Sequence, residues 1–286
     1  MILDFMYSPK KAEKQPWLML FIGIFYAGVS MPIAYFVDAA NSSMIMVFLT
    51  VTAAMPFIYS IIKYEEKKDE EINDEKRLLK EHSRALEAFI FMFIGMVIAF
   101  SVAKAFLPDQ MASTLFSAQE ETIQGIISGD ATANESLIAI LFNNINVLFL
   151  CIAFSFIYGL GAIYILTWNA SVLGTAIGNF ISSNIATISH LTGFEKGMGY
   201  FKVFSCGYFL RYLPHGLLEM LAFFIGGLAG AIVSVAVVRK TFGTKKFANI
   251  IFDSSDLILI ALGAVVIAAV IEVFFTPALF TTFCTQ

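Results

Sequence analysis

Residues 170–188 read ASVLGTAIGNFISSNIATI, and whether this stretch crosses a membrane decides the fold. It is long enough, because a hydrocarbon core of ~30 Å takes about 20 helical residues. Yet it is rich in Ser, Thr, Asn and Gly, which makes a poor lipid-facing helix and a good one among other helices. Its reading depends on the topology around it.

Composition places the chain in a bilayer. Of 286 residues, 58% are hydrophobic, 14% are charged and thirty are Phe; the mean hydropathy is +0.79. A soluble domain runs at about 45–50% apolar and ~25% charged, and no single core hides such an excess. Six stretches read as strong spans: Trp17–Val37, Met44–Ile62, Leu86–Leu107, Ile140–Thr167, His215–Val238 and Leu257–Phe280. The expected fold is an all-α polytopic membrane protein. The first run is too long for a signal h-region, and Met1–Pro16 has no small-residue cleavage site, so it is retained as a helix.

Lys and Arg in short loops set the orientation. The N-terminal segment holds Lys10, Lys11 and Lys14, and Lys63–Arg84 holds seven basic residues with eight acidic ones. Pro108–Ala139 has no Lys or Arg, but carries Asp109, Glu120, Glu121, Asp130 and Glu135. Arg239, Lys240, Lys245 and Lys246 follow the fifth strong span. The basic segments are therefore expected in the cytoplasm and Pro108–Ala139 outside. Parity then decides the ambiguous stretch. An even number of crossings must separate the fourth span from the Arg239–Lys246 cluster, and His215–Val238 supplies one. Ala170–Ile188 is expected to supply the other, giving about seven transmembrane helices in a cell-membrane protein, N-terminus in and C-terminus out. The competing reading is a re-entrant loop buried by protein. Against the crossing, it places Lys196, Lys202 and Arg211 outside.

The chain divides on this reading into three parts. Residues 1–62 form a cytoplasmic segment and two membrane helices, 63–85 a charged cytoplasmic helical loop, and 86–286 a membrane core with the external loop 108–139. The charged loop reads as a hairpin arm held by its own ion pairs, or as a docking surface for a partner. The external loop has helix-compatible turns around Leu115–Ile127, and reads as a surface helix or a spacer.

Within the apolar spans, polar residues stand out. LPHGLLE (213–219) opens the fifth strong span, with Pro214 suited to a first helical position and His215 and Glu219 one turn apart on one face. Asn143, Asn144 and Asn146 begin the fourth span, and Glu272 lies one turn before Thr276-Pro277. Three helices thus carry polar groups into the outer third of the bilayer, where ionisable side chains are costly and mark candidate functional sites. Each also has a structural reading: His215 caps or bridges, Glu219 pairs with Arg211 two turns back, Glu272 reaches water, and the asparagines join helices. If the two carboxylates are close, they need a proton, an Arg or a cation between them. The inner half offers mainly Asn169, Ser171 and Thr175, a thin path for a carrier. Gly174-xxx-Gly178 and Gly226-xxx-Gly230 are close-packing devices.

No HExxH helix, GxSxG elbow or Walker A loop is present, so no enzyme, cofactor or metal is expected. The lack of a broad basic surface argues against nucleic acid. Cys151, Cys206 and Cys284 lie dispersed in apolar surroundings without a CxxC pair, and read as small core hydrophobes.

An ordered set of residues carries a resemblance. NNINV (143–147), Gly159 and Gly161, Trp168-Asn169 with Gly174, and Pro214-His215-Gly216 with Glu219 resemble the stage II sporulation protein M family of polytopic membrane proteins. The resemblance covers roughly Leu86 to Phe280, and departs at Asn169-Ala170 where the family has Asn-Gly. It implies a non-enzymatic protein; the namesake anchors peptidoglycan-remodelling enzymes in spore formers, while most relatives have no link to sporulation. The expectation is a scaffold or assembly factor for membrane or envelope proteins, with the lipid bilayer as solvent and homo-oligomerisation left open. The alternative is a carrier or channel with an ion or small-molecule site near His215, Glu219 and Glu272. The candidate polar cluster is Asn143, Asn144, Asn169, Arg211, His215, Glu219 and Glu272.

Overall fold

A computed structural model describes residues 9–71, 75–126, 133–158, 161–238 and 245–284. Every element among them is helical: α1 (Pro9–Lys14), α2 (Leu18–Val37), α3 (Ser42–Glu71), α4 (Glu75–Phe106), α5 (Asp109–Leu115), α6 (Ser117–Ile126), α7 (Ala133–Tyr158), α8 (Ala162–Thr187), α9 (Gly193–Ser205), α10 (Leu213–Val238), α11 (Lys245–Val270) and α12 (Thr276–Cys284). A π-helical segment, π1 (Cys206–Tyr212), joins α9 to α10, and a second, π2 (Ile271–Phe275), joins α11 to α12. Six helical runs are long and apolar enough to cross a membrane: 18–37, 42–61, 86–106, 135–157, 193–234 and 250–284. The chain is an all-α membrane protein. It forms two compact units, residues 1–119 with 167–175, and residues 120–166 with 176–286.

In the first unit, α2 and α4 meet through reciprocal glycines. A Cβ at Gly23 would fall on the Met92 carbonyl of α4, and one at Gly95 on the Leu20 carbonyl of α2. Only hydrogen fits at either position, so the backbones touch. Ser30 of α2 and Thr50 of α3 hydrogen-bond at 2.6 Å oxygen to oxygen; whichever hydroxyl accepts is free to donate to a carbonyl of its own helix, Ala27 for Ser30 or Met46 for Thr50. Between these helices Asp38 closes the turn, accepting from the Ala40 N–H and the Asn41 side chain. The Asn41 bond holds the Asp38 carboxyl below its ordinary 3.8. The segment expected as a loop over 108–139 is no plain spacer: its described part folds as α5 and α6, with Leu115 and Phe116 fully buried. Residues 127–132 of that loop lie outside the described residues, as do 72–74 of the charged arm and 239–244 of the basic cluster.

In the second unit, α7 runs alongside α10 in the same direction. Asn144 meets Glu219, Leu148 faces Gly226, and the Ile152 backbone faces Gly230. Gly226-xxx-Gly230 is thus a packing device, as its spacing implies.

The fourth predicted span, Ile140–Thr167, is corrected. Its helix ends at Tyr158 and a new one starts at Ala162. Hydropathy does not fall there, so only the glycines mark the reversal. Gly161 lies so close to α7 that a Cβ would sit 2.7 Å from that of Phe154. Trp168 and Asn169 consequently lie inside α8, and residues 170–187 form most of that continuous helix, with Ile188 as its C-cap.

In the second unit, α8 runs antiparallel to α9–α10. Ala162 lies by Gly227, Ala176 takes the Tyr212 hydroxyl, Phe180 lies on Gly207, and Ile188 lies by Gly199. Its buried residues there include Ile177 and Ile181, while Ser182, Ser183 and Thr187 are exposed; Ala170, Ser171 and Thr175 are buried and belong to the first unit. The expectation that 170–188 packs inside therefore holds for its first two-thirds.

Both π segments end immediately before an X-Pro pair. The Leu213 N–H bonds to Tyr208 O and the Thr276 N–H to Ile271 O, each five residues back, and Pro214 and Pro277 follow. A proline lacks the N–H and its ring collides with the carbonyl four residues back; one wider π turn makes room while the helix continues. Pro214 is thus not at a free helix start, correcting that expectation, because the chain is helical without interruption from Gly193.

Candidate functional site

The site builds outward from His215. Buried on α10 one turn beyond π1, its Nδ1 lies 3.3 Å from Thr276 Oγ1 on α12, and its Nε2 lies 3.9 Å from Glu272 Oε1 on π2. One helical turn along α10, the Glu219 carboxylate accepts a 2.6 Å hydrogen bond from the Asn144 amide of α7. Asn143 donates in turn to Asn144 at 3.4 Å. His215 and Glu219 lie one turn apart on one face of α10, so the two contacts adjoin along that helix. Asn144, His215, Glu219, Glu272 and Thr276 therefore converge from four elements, α7, α10, π2 and α12. Asn144 and His215 are buried, while the Glu272 side chain keeps 32% of its surface. Glu219 and Glu272 are both only partly buried.

The remaining expected members are elsewhere. Asn169 lies in the first unit, and Asn146 is exposed on the far face of α7. Arg211 is not Glu219's partner, which corrects that reading. Its guanidinium lies over three rings, Phe180 at 5.4 Å, Tyr212 at 5.6 Å and Phe280 at 5.1 Å. Phe180 and Phe280 themselves pack edge to face, 5.6 Å apart. The charge sits on an aromatic platform, a cation–π arrangement, at the level where α8, π1 and α12 meet.

Beyond that platform, Cys206 and Cys284 form a disulfide with Cα atoms 6.0 Å apart. The reading of all three cysteines as core hydrophobes holds for buried Cys151 alone. The pair is separated by 78 residues, so only the hairpin of α10 and α11 brings it together; no local spacing announces it.

What the arrangement can do follows from its donor set. Two carboxylates, an imidazole, an amide and a hydroxyl can pass or share protons and can hold a cationic group. Among the described residues no group of three or more His, Cys, Asp or Glu is placed to hold a metal ion. Thr276 was missed by sequence reasoning. The matching Leu213-Pro214 and Thr276-Pro277 pairs on neighbouring helices were the available signal.

Residues 88–277 match the family described as Stage II sporulation protein M, a range containing every member of the cluster. The chain is 30% identical over 148 residues to an uncharacterized protein of Methanocaldococcus jannaschii, covering 50% of this chain and 72% of that protein. No solved structure matches. A family match over two-thirds of its length, on helices that fit a bilayer, settles the affiliation: the chain belongs to the stage II sporulation protein M family.

Proposed function

We propose that this protein is a non-enzymatic, multi-pass scaffold or assembly factor of the cell membrane that holds membrane or envelope proteins. One observation carries the reading. Helices α3 and α4 outrun their apolar spans, which end at Ile61 and begin at Leu86, by ten and eleven residues respectively. At 1.5 Å per residue each extends ~15 Å past what a crossing needs. Anchoring alone requires no such arm. Two mixed-charge helical extensions offer a partner a surface beyond the apolar spans. The course of α8 supports a seventh crossing, and the Cys206–Cys284 disulfide supports a C-terminal end on the oxidising side, where disulfides persist.

The test replaces residues 65–81 with a short Gly/Ser turn in the tagged full-length protein. Both forms are then purified in mild detergent and their co-purifying proteins identified. The reading expects a defined set with the wild type that is lost from the variant at equal expression and melting temperature. An identical set from both forms, or none above an untagged control, contradicts it.

A second reading, a carrier or channel, is favoured by the carboxylate–imidazole cluster within apolar helices. Its test is ion or proton flux into proteoliposomes, expected to fall with Glu219→Gln. Equal flux through wild type, variant and empty vesicles removes it.

A further inference from the structure

We propose that the Cys206–Cys284 disulfide is a redox latch. Closed, it holds π2 and α12 in the register that sets Glu272 and Thr276 against His215; opened by a dithiol reductant, it releases both.

The geometry behind this is specific to α12. That helix continues α11 beyond π2 for nine residues, so its register is set by the π turn before it and by the contacts it makes after it. Three ties hold it. Thr276, its first residue, meets His215; Phe280, in its middle, lies against Phe180 and beneath Arg211; Cys284, its last, is bonded to Cys206. Only the last is covalent, and only the last can be switched by a reagent.

The π segment supplies the freedom. A π turn holds one residue more than an α turn, so converting π2 to regular helix would rotate everything after it by ~100° and shift it by ~1.5 Å. Such a rotation carries Thr276 off His215 and dissolves the π turn that places Glu272 beside the same imidazole. Cys206 is the first residue of the facing segment π1, so one bond spans both irregular turns and pins their relative register.

The chemistry balances with an external dithiol. Cys206 is buried, while Cys284 is partly exposed, so a thiolate attacks the Cys284 sulfur and expels the Cys206 thiolate. The second thiol of the reductant then displaces Cys284 and closes a cyclic disulfide. Two electrons and two protons pass to the protein, leaving two cysteine thiols.

The test uses the full-length protein in nanodiscs and amide hydrogen exchange on peptides covering 271–284 and 213–219. It compares oxidised, dithiothreitol-reduced and reoxidised protein, with Cys206→Ala as a permanently open form. Reduction is expected to speed exchange in both segments on the order of tenfold, with 18–37 and 86–106 unchanged. Reoxidation restores the wild type, and Cys206→Ala matches the reduced form. Unchanged exchange once two new thiols titrate overturns the latch. So does finding all three cysteines as free thiols before reduction. Loss of protection throughout the chain, including 18–37, also overturns it, because the bond would then be a staple for the whole fold.

Discussion

The Gly23–Gly95 contact predicts a sharp difference between two chemically identical substitutions on one helix. Gly23→Ala adds a methyl whose carbon would fall on the Met92 carbonyl and lie 3.1 Å from the Met96 nitrogen. Gly28→Ala, five residues on, adds the same methyl where nothing lies within 4 Å. Both changes gain helix propensity of about 0.5–1 kcal/mol. At position 28 that gain stands alone. At position 23 it meets an obstacle that is backbone, which cannot change rotamer, so α2 and α4 must separate and Gly95 loses its fit with Leu20. Overpacking costs about 1–3 kcal/mol, and a backbone obstacle belongs at the upper end, so the loss outweighs the propensity gain. Thermal unfolding in detergent should place Gly23→Ala below wild type by several degrees, at a few °C per kcal/mol, and Gly28→Ala at or above it. A Gly23→Ala protein melting with the wild type would refute the close approach of α2 and α4.

Further predictions address other parts of the chain. Gly174→Leu should lower stability by ~1–3 kcal/mol, because a Cβ there already meets the Phe100 Cβ at 2.6 Å; an unchanged melting temperature would argue that the middle of α8 is loose. Single cysteines at Ser128 and Asn73, both outside the described residues, test orientation in a Cys151→Ala background that keeps the disulfide. An impermeant thiol reagent on intact cells should label position 128 and not 73, and equal labelling would overturn the proposed sidedness. Because the Asp38 pKa is depressed on folding, its stabilising effect is present above the ordinary 3.8 and disappears as pH falls through the folded-state value. Asp38→Ala should therefore narrow the gap in melting temperature to wild type as pH drops below 4; a pH-independent gap would show that Asn41 does not favour the charged form.

Much of this was legible because a bilayer imposes simple rules. Span existence followed from run length, and the cluster's members followed from the cost of ionisable groups at apolar positions. Asn144 meets Glu219, and His215 meets Glu272. What escaped was tertiary or local in ways that hydropathy does not register. The reversal after Tyr158 is invisible to a hydropathy window, since residues on both sides are equally apolar and only glycines separate them. The partner of Glu219 was misassigned because helical spacing pointed to Arg211 on its own helix, whereas aromatic rings from α8 and α12 claim that guanidinium. The disulfide joins residues 78 apart, beyond any spacing rule. The π segments leave a trace only as two prolines whose significance emerges when the helices carrying them are neighbours.

The central claim is that the polar side chains of α7, α10 and π2 act as one coupled cluster rather than as separately satisfied groups. A double-mutant cycle on Glu219→Gln and Glu272→Gln, read by unfolding in detergent, tests it most directly. Each single change replaces a carboxyl by an amide of nearly the same shape, so the cycle isolates the interaction between the two carboxyl groups. Coupling predicts that the double variant departs from the sum of the singles by at least ~0.5 kcal/mol. Additive losses would show that Glu219 with Asn144 and Glu272 with His215 are independent contacts, and the shared cluster would be contradicted.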